Sequence, residues 1–400
     1  MFSKLIVLFQ LVSFIFANNY IVQFQDQVSE REIYKHFQQI EFLSDVNIQV
    51  KNKNIPFQSQ VFTIGDMKYY HGYFTDNEVK YIRNKKVVKH VELDQEMHTL
   101  EIQENAPWHL DRINHRELSD DYSFNFDENY GENVTVYSID TGVFLENDDF
   151  EGRARWGFNG IDNQNDDCNG HGTHTSSLAV GKKYGVAKHA KIVAVKVLDC
   201  EGSGSMSSVL SGISWTVKDH IARNISGKSV INMSLGGSKS VILNNAVNSA
   251  VKAGVVVVVA AGNESNDACN TSPAGANLVI TVGATNIREE LAYFSNFGKC
   301  VDVLAPGQEI TAGWNLKHGT KTISGTSMSA PLIAGIVAVI LSRNENLTPK
   351  EVKKMLVETA TPDKISGFLH KTPNLIGYIQ SENVQELFIQ NLRENGIIYL

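Results

Sequence analysis

Seven consecutive apolar residues, Val255 to Ala261, constrain this chain more than any other stretch. A run of that length and β-branched composition reads as a strand buried on both faces, the habit of a parallel sheet. Ala190–Leu198, Ser229–Leu235 and Leu278–Val282 have the same β-rich character. Helix-like segments, Ser205–Arg223 and Ile242–Ala253, lie between them. Strand–helix–strand alternation with right-handed crossovers implies an α/β fold in three layers around a parallel central sheet. No internal repeat or low-complexity tract interrupts it.

Residues 18–100 differ in character: they contain no cysteine and are rich in charged and aromatic residues. The order reads strand (Tyr20–Phe24), helix (Ser29–Phe37), strands (Asn47–Val50 and Lys68–Phe74), helix (Asp76–Asn84) and strand (Val87–Leu93). Ser29 with Glu32, and Thr75 with Glu78, have the spacing of capping boxes at the two helix starts. This is the ferredoxin-like pattern of a small α+β domain.

Met1–Ala17 has one cation, Lys4, ahead of a largely apolar run that ends at the small residue Ala17. It reads as a secretory signal peptide, too short for a membrane span of about twenty residues. A formal net charge of −8 and a pI near 5.9 supply no basic field for nucleic acid. The last 22 residues after Tyr378 place Val384, Leu387, Phe388, Ile389 and Leu392 largely on one helical face. Periodicity leaves open whether that tail docks on the body or binds a partner.

Three motifs carry chemistry. Val134–Gly142 runs six strand-forming or small residues into Asp140, setting a carboxylate at a strand's C-terminal end. Asn169-Gly-His-Gly-Thr-His174 holds His171 between two glycines at a helix start. Ile323-Ser-Gly-Thr-Ser-Met-Ser-Ala-Pro331 places Ser327 before an apolar helical run, Leu332–Leu341. Gly-Thr-Ser alone is equally consistent with a plain helix cap. With the other two motifs it supplies a nucleophile, a base and the carboxylate that fixes the base's tautomer. The chain order Asp, His, Ser is that of subtilisin.

On these motifs, together with Ser234-Leu-Gly-Gly237 and Ala260-Ala-Gly-Asn263, the chain resembles the subtilisin-like serine endopeptidases of the proteinase K branch, aqualysin-type members above all. The resemblance covers nearly everything from Tyr20 to Tyr378. It implies a zymogen with a signal peptide (1–17), an inhibitor and chaperone propeptide (18–100), a catalytic domain (101–378) and a C-terminal tail (379–400). The implied catalytic residues are Asp140, His171, Ser327 and Asn263, the last donating its carboxamide to the oxyanion. His174 is implied to be structural.

Gly202, Ser203 and Gly204, with Ser234, Leu235 and Gly236, are the implied edges along which an extended substrate lies. Ser234–Gly236, Ala260–Gly262 and the segment near Thr271–Gly275 would wall the primary pocket. Those segments hold no acid, so a broad, mainly apolar preference before the cut bond is expected. The four cysteines allow three pairings by count; the resemblance implies Cys168 with Cys200 and Cys269 with Cys300. It also implies a structural calcium ion on Asp302 and the carbonyls of Asn277 and Val279, and no organic cofactor.

Activation is expected between Leu100 and Glu101, four residues before Asn105-Ala-Pro-Trp108, where the mature relatives begin. The partners expected are polypeptide substrates and the chain's own propeptide, in a monomer of the secretory pathway that ends outside the cell or in a vacuolar or spore compartment. Sequons begin at Asn133, Asn224, Asn232, Asn263, Asn270 and Asn346; those at Asn232 and Asn263 are expected to be silent through burial.

Other readings fit the residues less well. Cys168, His171, His174 and Cys200 have spacings that suit zinc, but a metal leaves Asp140, Ser327 and Asn263 unexplained. A kexin-type processing protease needs acidic pockets and a further β-rich domain, for which the tail is too short. A non-catalytic binding protein on a protease scaffold sits poorly with four intact catalytic positions.

Overall fold

The computed structural model describes residues 18–41, 61–64, 66–94, 101–119, 121–127, 129–223, 228–344 and 346–379. The signal segment, the expected strand at 47–50, Leu100 and the tail beyond Ile379 lie outside them. The chain divides into two compact units, Met1–His98 and Thr99–Leu400.

The smaller unit contains β1 (Asn18–Phe24), α1 (Glu30–Glu41), β2 (Phe62–Ile64), β3 (Met67–Phe74), α2 (Asp76–Arg83) and β4 (Val88–Leu93). Its strands lie in the order β2-β3-β1-β4, all antiparallel, the ferredoxin-like arrangement. Alternation on β1 turns Tyr20, Val22 and Phe24 to one face, where they meet Ile33, Phe37 and Ile40 of α1 and Val79 and Ile82 of α2. Thr75 and Glu78 form a full capping box at α2. At α1 only half of one forms, since the Glu32 carboxylate accepts from both the N–H and the hydroxyl of Ser29.

The larger unit contains β5 (Glu101–Gln103), α3 (Trp108–Asn114), β6 (Phe124–Phe126), β7 (Thr135–Asp140), β8 (Ala154–Asn159), α4 (His171–Val180), β9 (Lys191–Lys196) and α5 (Met206–Ala222). It continues with β10 (Ser229–Met233), β11 (Gly237–Ser238), α6 (Val241–Lys252), β12 (Val256–Ala260), β13 (Thr271–Ser272), β14 (Ile280–Thr285), β15 (Val303–Pro306) and β16 (Ile310–Gly313). β17 (Thr320–Ile323), α7 (Thr326–Arg343), α8 (Pro349–Thr359), β18 (Thr361–Pro362) and β19 (Leu375–Ile376) complete it.

Nine strands form the central sheet in the order β18-β19-β15-β14-β12-β10-β7-β9-β8. Every neighbouring pair is parallel except β18 with β19. Alternation splits each central strand between two cores. Val136, Val230, Val256 and Val258 face α4 and α7, whereas Tyr137, Ile231, Val257 and Val259 face α5 and α6. The result is three layers, helix on sheet on helix. α7 is apolar and long enough to cross a membrane, but it is mostly buried in this core. β7 lies between β9 and β10, so the chain changes direction across the sheet there, the kind of point where open α/β sheets keep their sites.

Candidate active site

Asp140 closes β7 and is fully buried. Its Oδ1 accepts the Thr141 N–H at 2.7 Å and lies 2.7 Å from His171 Nδ1. A carboxylate only accepts, so Nδ1 carries the proton and Nε2 is left as the basic nitrogen. Oδ2 takes the Thr175 hydroxyl at 3.3 Å. His171 opens α4. Gly172 follows it because a Cβ there would stand 2.1 Å from the Gly142 carbonyl oxygen, so only glycine lets α4 begin this close to the end of β7. Burial by itself would lower the His171 pKa; the charge and hydrogen bond of Asp140, with the more distant Asp167, outweigh it and hold the imidazole above its ordinary value.

Two groups that the sequence motifs do not advertise fix this dyad. Asp167 is buried and accepts from Thr141 Oγ1, the Gly170 N–H, and the N–H and hydroxyl of Thr173. It thereby ties the loop after Asp140 to the first turn of α4. Lys196 is also fully buried, and its ammonium donates to the carbonyls of Thr141 and Asp166 at 3.0 and 3.1 Å. β9 pairs Lys196 opposite Asp140, so register sets its place. His174 is buried too, with Nε2 against the Lys321 carbonyl. Burial pushes its pKa down to about 3, so it stays neutral.

Ser327 is the second residue of α7, where the N–H has no intrahelical acceptor. Pro331 lacks the N–H that would bond the Ser327 carbonyl from one turn on. Ser234 Oγ donates to that carbonyl instead at 2.9 Å. The Ser327 hydroxyl in turn donates to the Ser234 carbonyl at 3.2 Å. Among the described residues no hydrogen bond joins Ser327 to His171, a looseness common in substrate-free sites.

Asn263 is exposed at the cleft, so burial does not silence its sequon, whereas Asn232 is buried in β10. The Asn263 Oδ1 accepts the N–H and hydroxyl of Thr326 at 2.8 and 3.0 Å, which leaves the amide NH2 as the free end. The place where a Cβ on Gly325 would stand is 3.5 Å from Asn263 Nδ2 and 3.6 Å from Ser327 N. Two donors therefore flank one small space that glycine keeps open.

A cleft of about 520 Å³ runs beside these groups. Ser234, Leu235, Gly236, Ala260 and Gly262 line it with Asn263 and Ser327. Lys239 and Glu264 line it as well, bringing charge that the apolar wall segments do not. The Glu264 carboxylate accepts from Asn296 Nδ2 at 2.7 Å. Gly202, Ser203 and Gly204 lie elsewhere, on an exposed loop after β9. That loop is held by the Cys168–Cys200 disulfide and by Asn169 Nδ2 on the Cys200 carbonyl at 2.8 Å. The second disulfide joins Cys269 and Cys300. With Cys168 and Cys200 bonded to each other, no thiolate set for zinc remains.

Among the described residues, two places bear on cation chemistry. Asp111, His115 and Asp121 bring their ligand atoms within 4.8 Å of one another, an acidic group of the kind a divalent ion takes. The other is Asp302 with Asn277 and Val279, and its donors do not fit calcium as they stand. The Lys353 ammonium donates to the Val279 carbonyl at 2.6 Å and to Asp302 Oδ2 at 2.8 Å.

Comparison with known proteins agrees with this geometry. Residues 131–382 match the model of the subtilase family. Alkaline protease 2 of Aspergillus fumigatus is 40% identical over 90% of this chain and 81% of its own length. The subtilisin-like serine protease Cla h 9.0101 of Davidiella tassiana is 40% identical over 90% of this chain and 78% of its own. The crystal structure of a cold adapted subtilisin-like serine proteinase superposes with a TM-score of 0.65 at 44% identity, covering 69% of this chain and 99% of that one.

Proposed function

Because the chain belongs to the subtilase family of serine endopeptidases, we propose that it is made as a secreted zymogen and cuts polypeptides with a broad, mainly apolar preference before the cut bond. The observation that carries this reading is the 2.7 Å bond between His171 Nδ1 and Asp140, on the C-terminal edge of the sheet that also presents Ser327.

In this reading substrate arrival turns the Ser327 hydroxyl from the Ser234 carbonyl to His171. Ser327 Oγ attacks the scissile carbonyl carbon while its proton passes to His171 Nε2. Asp140, unprotonated, stabilises the imidazolium and keeps Nδ1–H in place. The carbonyl oxygen, now an oxyanion, accepts from Asn263 Nδ2 and the Ser327 N–H, which stand ready before the charge forms. The C–N bond then breaks, and His171 returns its proton to the leaving amine. Water repeats the sequence on the acyl-enzyme, giving the acid and free Ser327.

The substrate would lie extended against Ser234–Gly236 and the exposed Gly202–Gly204 loop, with its side chain before the cut bond among Ala260–Gly262. The glycines leave backbone N–H and C=O groups open to it. Residues 18–100 act as chaperone and inhibitor, residues 101–378 as the enzyme, and release falls between Leu100 and Glu101. The two disulfides support passage through an oxidising secretory route, and the enzyme works as a monomer. Calcium enters only as a structural ion, with the group at Asp111, His115 and Asp121 as a place that offers it the two carboxylates.

The test is reaction with a serine-directed sulfonyl fluoride. Modification mapped to Ser327, with stoichiometric loss of peptide hydrolysis, is the expected result. Hydrolysis that persists in fully modified protein would overturn the assignment.

A further inference from the structure

We propose that Lys353 is a resident cation: its ammonium takes the place of a divalent ion between the loops that precede β14 and β15, and closes that site to calcium. Lys353 Nζ lies 2.6 Å from the Val279 carbonyl and 2.8 Å from Asp302 Oδ2. A calcium ion binds oxygens at about 2.3–2.6 Å. An ion on these two oxygens would therefore sit where the nitrogen already is, and two cations do not share one position.

The ammonium also suits the donor set better. It has three N–H donors, of which these two oxygens engage two, whereas calcium needs six to eight oxygens. The carboxylate is held for a cation whichever one arrives. The Thr281 N–H donates to Asp302 Oδ2 at 2.9 Å, and the Asp302 N–H donates to the Thr281 carbonyl at 2.9 Å. Thr348 and Glu351 form a capping box at the start of α8, with Pro349 in its first turn. That rigid start carries Lys353 beside the buried stripe of Val352, Met355 and Leu356. The Lys353 and Asp302 side chains are only 26% and 21% exposed, so solvent screens this pair less than an open surface pair. The site thus clamps α8 to the sheet with a cation that no chelator removes.

The experiment uses the full protein, blocked with a sulfonyl fluoride so that autolysis does not enter, as wild type, Lys353→Ala, Asp302→Asn and the double variant. Bound calcium is counted after equilibrium dialysis, and unfolding temperatures are read in excess EGTA and along a calcium series. Wild type and Asp302→Asn are expected to hold equal calcium, which isolates this site from any other. Lys353→Ala should hold one equivalent more, and the double variant should return to the wild-type number. In EGTA, Lys353→Ala should unfold roughly 2–4 °C below wild type, with calcium restoring the difference only while Asp302 is present. Loss of one calcium equivalent in Asp302→Asn would show that calcium displaces the lysine, and would overturn the proposal. Lys353→Ala with no extra calcium would equally overturn it, reducing the contact to an ordinary ion pair.

Discussion

Asn263 commits its carbonyl oxygen to Thr326, which leaves its amide NH2 as the end able to donate toward a bound carbonyl. Asn263→Ala should leave KM nearly unchanged and lower kcat by about 10²–10³, the loss that removing this kind of donor causes in subtilisin. A raised KM with normal kcat would assign the oxyanion to other donors. Ser327→Ala should fold with an unchanged circular dichroism spectrum and show no burst of acyl-enzyme. The His171 pKa is held above its ordinary value, and only the deprotonated ring accepts the serine proton. Activity should therefore fall as pH drops through that raised value, and the acid limb of kcat/KM should lie above the ordinary imidazole value of about 6.5. A limb below that value would mean that burial outweighs Asp140 in solution.

At the scale of elements, α7 begins with a defect and a repair. Pro331 removes the helical donor to the Ser327 carbonyl, and Ser234, the residue directly after β10, replaces it. Ser234→Ala should leave that carbonyl without this donor. The expected loss is about 1–3 kcal/mol in urea unfolding, together with a fall in kcat, because the same contact sets the start of α7. Pro331→Ala in the Ser234→Ala background should recover much of the stability by restoring the helical bond. No recovery would mean that Ser234 acts through the cleft wall alone. The existence and type of these elements were legible in the sequence, since apolar period and capping boxes are local signals. Boundaries moved by up to four residues, as with Ser29–Phe37 against α1 at Glu30–Glu41 and Leu278–Val282 against β14 at Ile280–Thr285, where side-chain pattern and backbone pairing differ.

At the scale of the whole molecule, the two units invite a test of their relationship through maturation. If the enzyme releases its own N-terminal region, the residue before the cut must enter the primary pocket. Leu100→Asp should then leave the precursor uncut on a gel, while Leu100→Phe matures. N-terminal sequencing of the mature chain should begin at Glu101. A mature N-terminus unaffected by Ser327→Ala would assign the cut to another protease.

By itself the sequence determined the layered α/β class, the ferredoxin-like order of the small unit apart from its second strand, which the structure describes at Phe62–Ile64, and the motif positions Asp140, His171, Ser327 and Asn263, because each of these rests on neighbours within a few positions. Only the tertiary structure decided which distant groups serve them. Asp167 and Lys196 look like ordinary charges in the sequence, yet they are buried anchors of the dyad. Lys239 and Glu264 enter the cleft from turns whose path no periodicity encodes. Lys353 belongs to none of the sequence motifs, yet it meets Asp302 across 51 residues. Periodicity says which face of an element is buried. What that face meets depends on chain closure and strand order across the molecule, and so does the cation that an acidic oxygen finally holds.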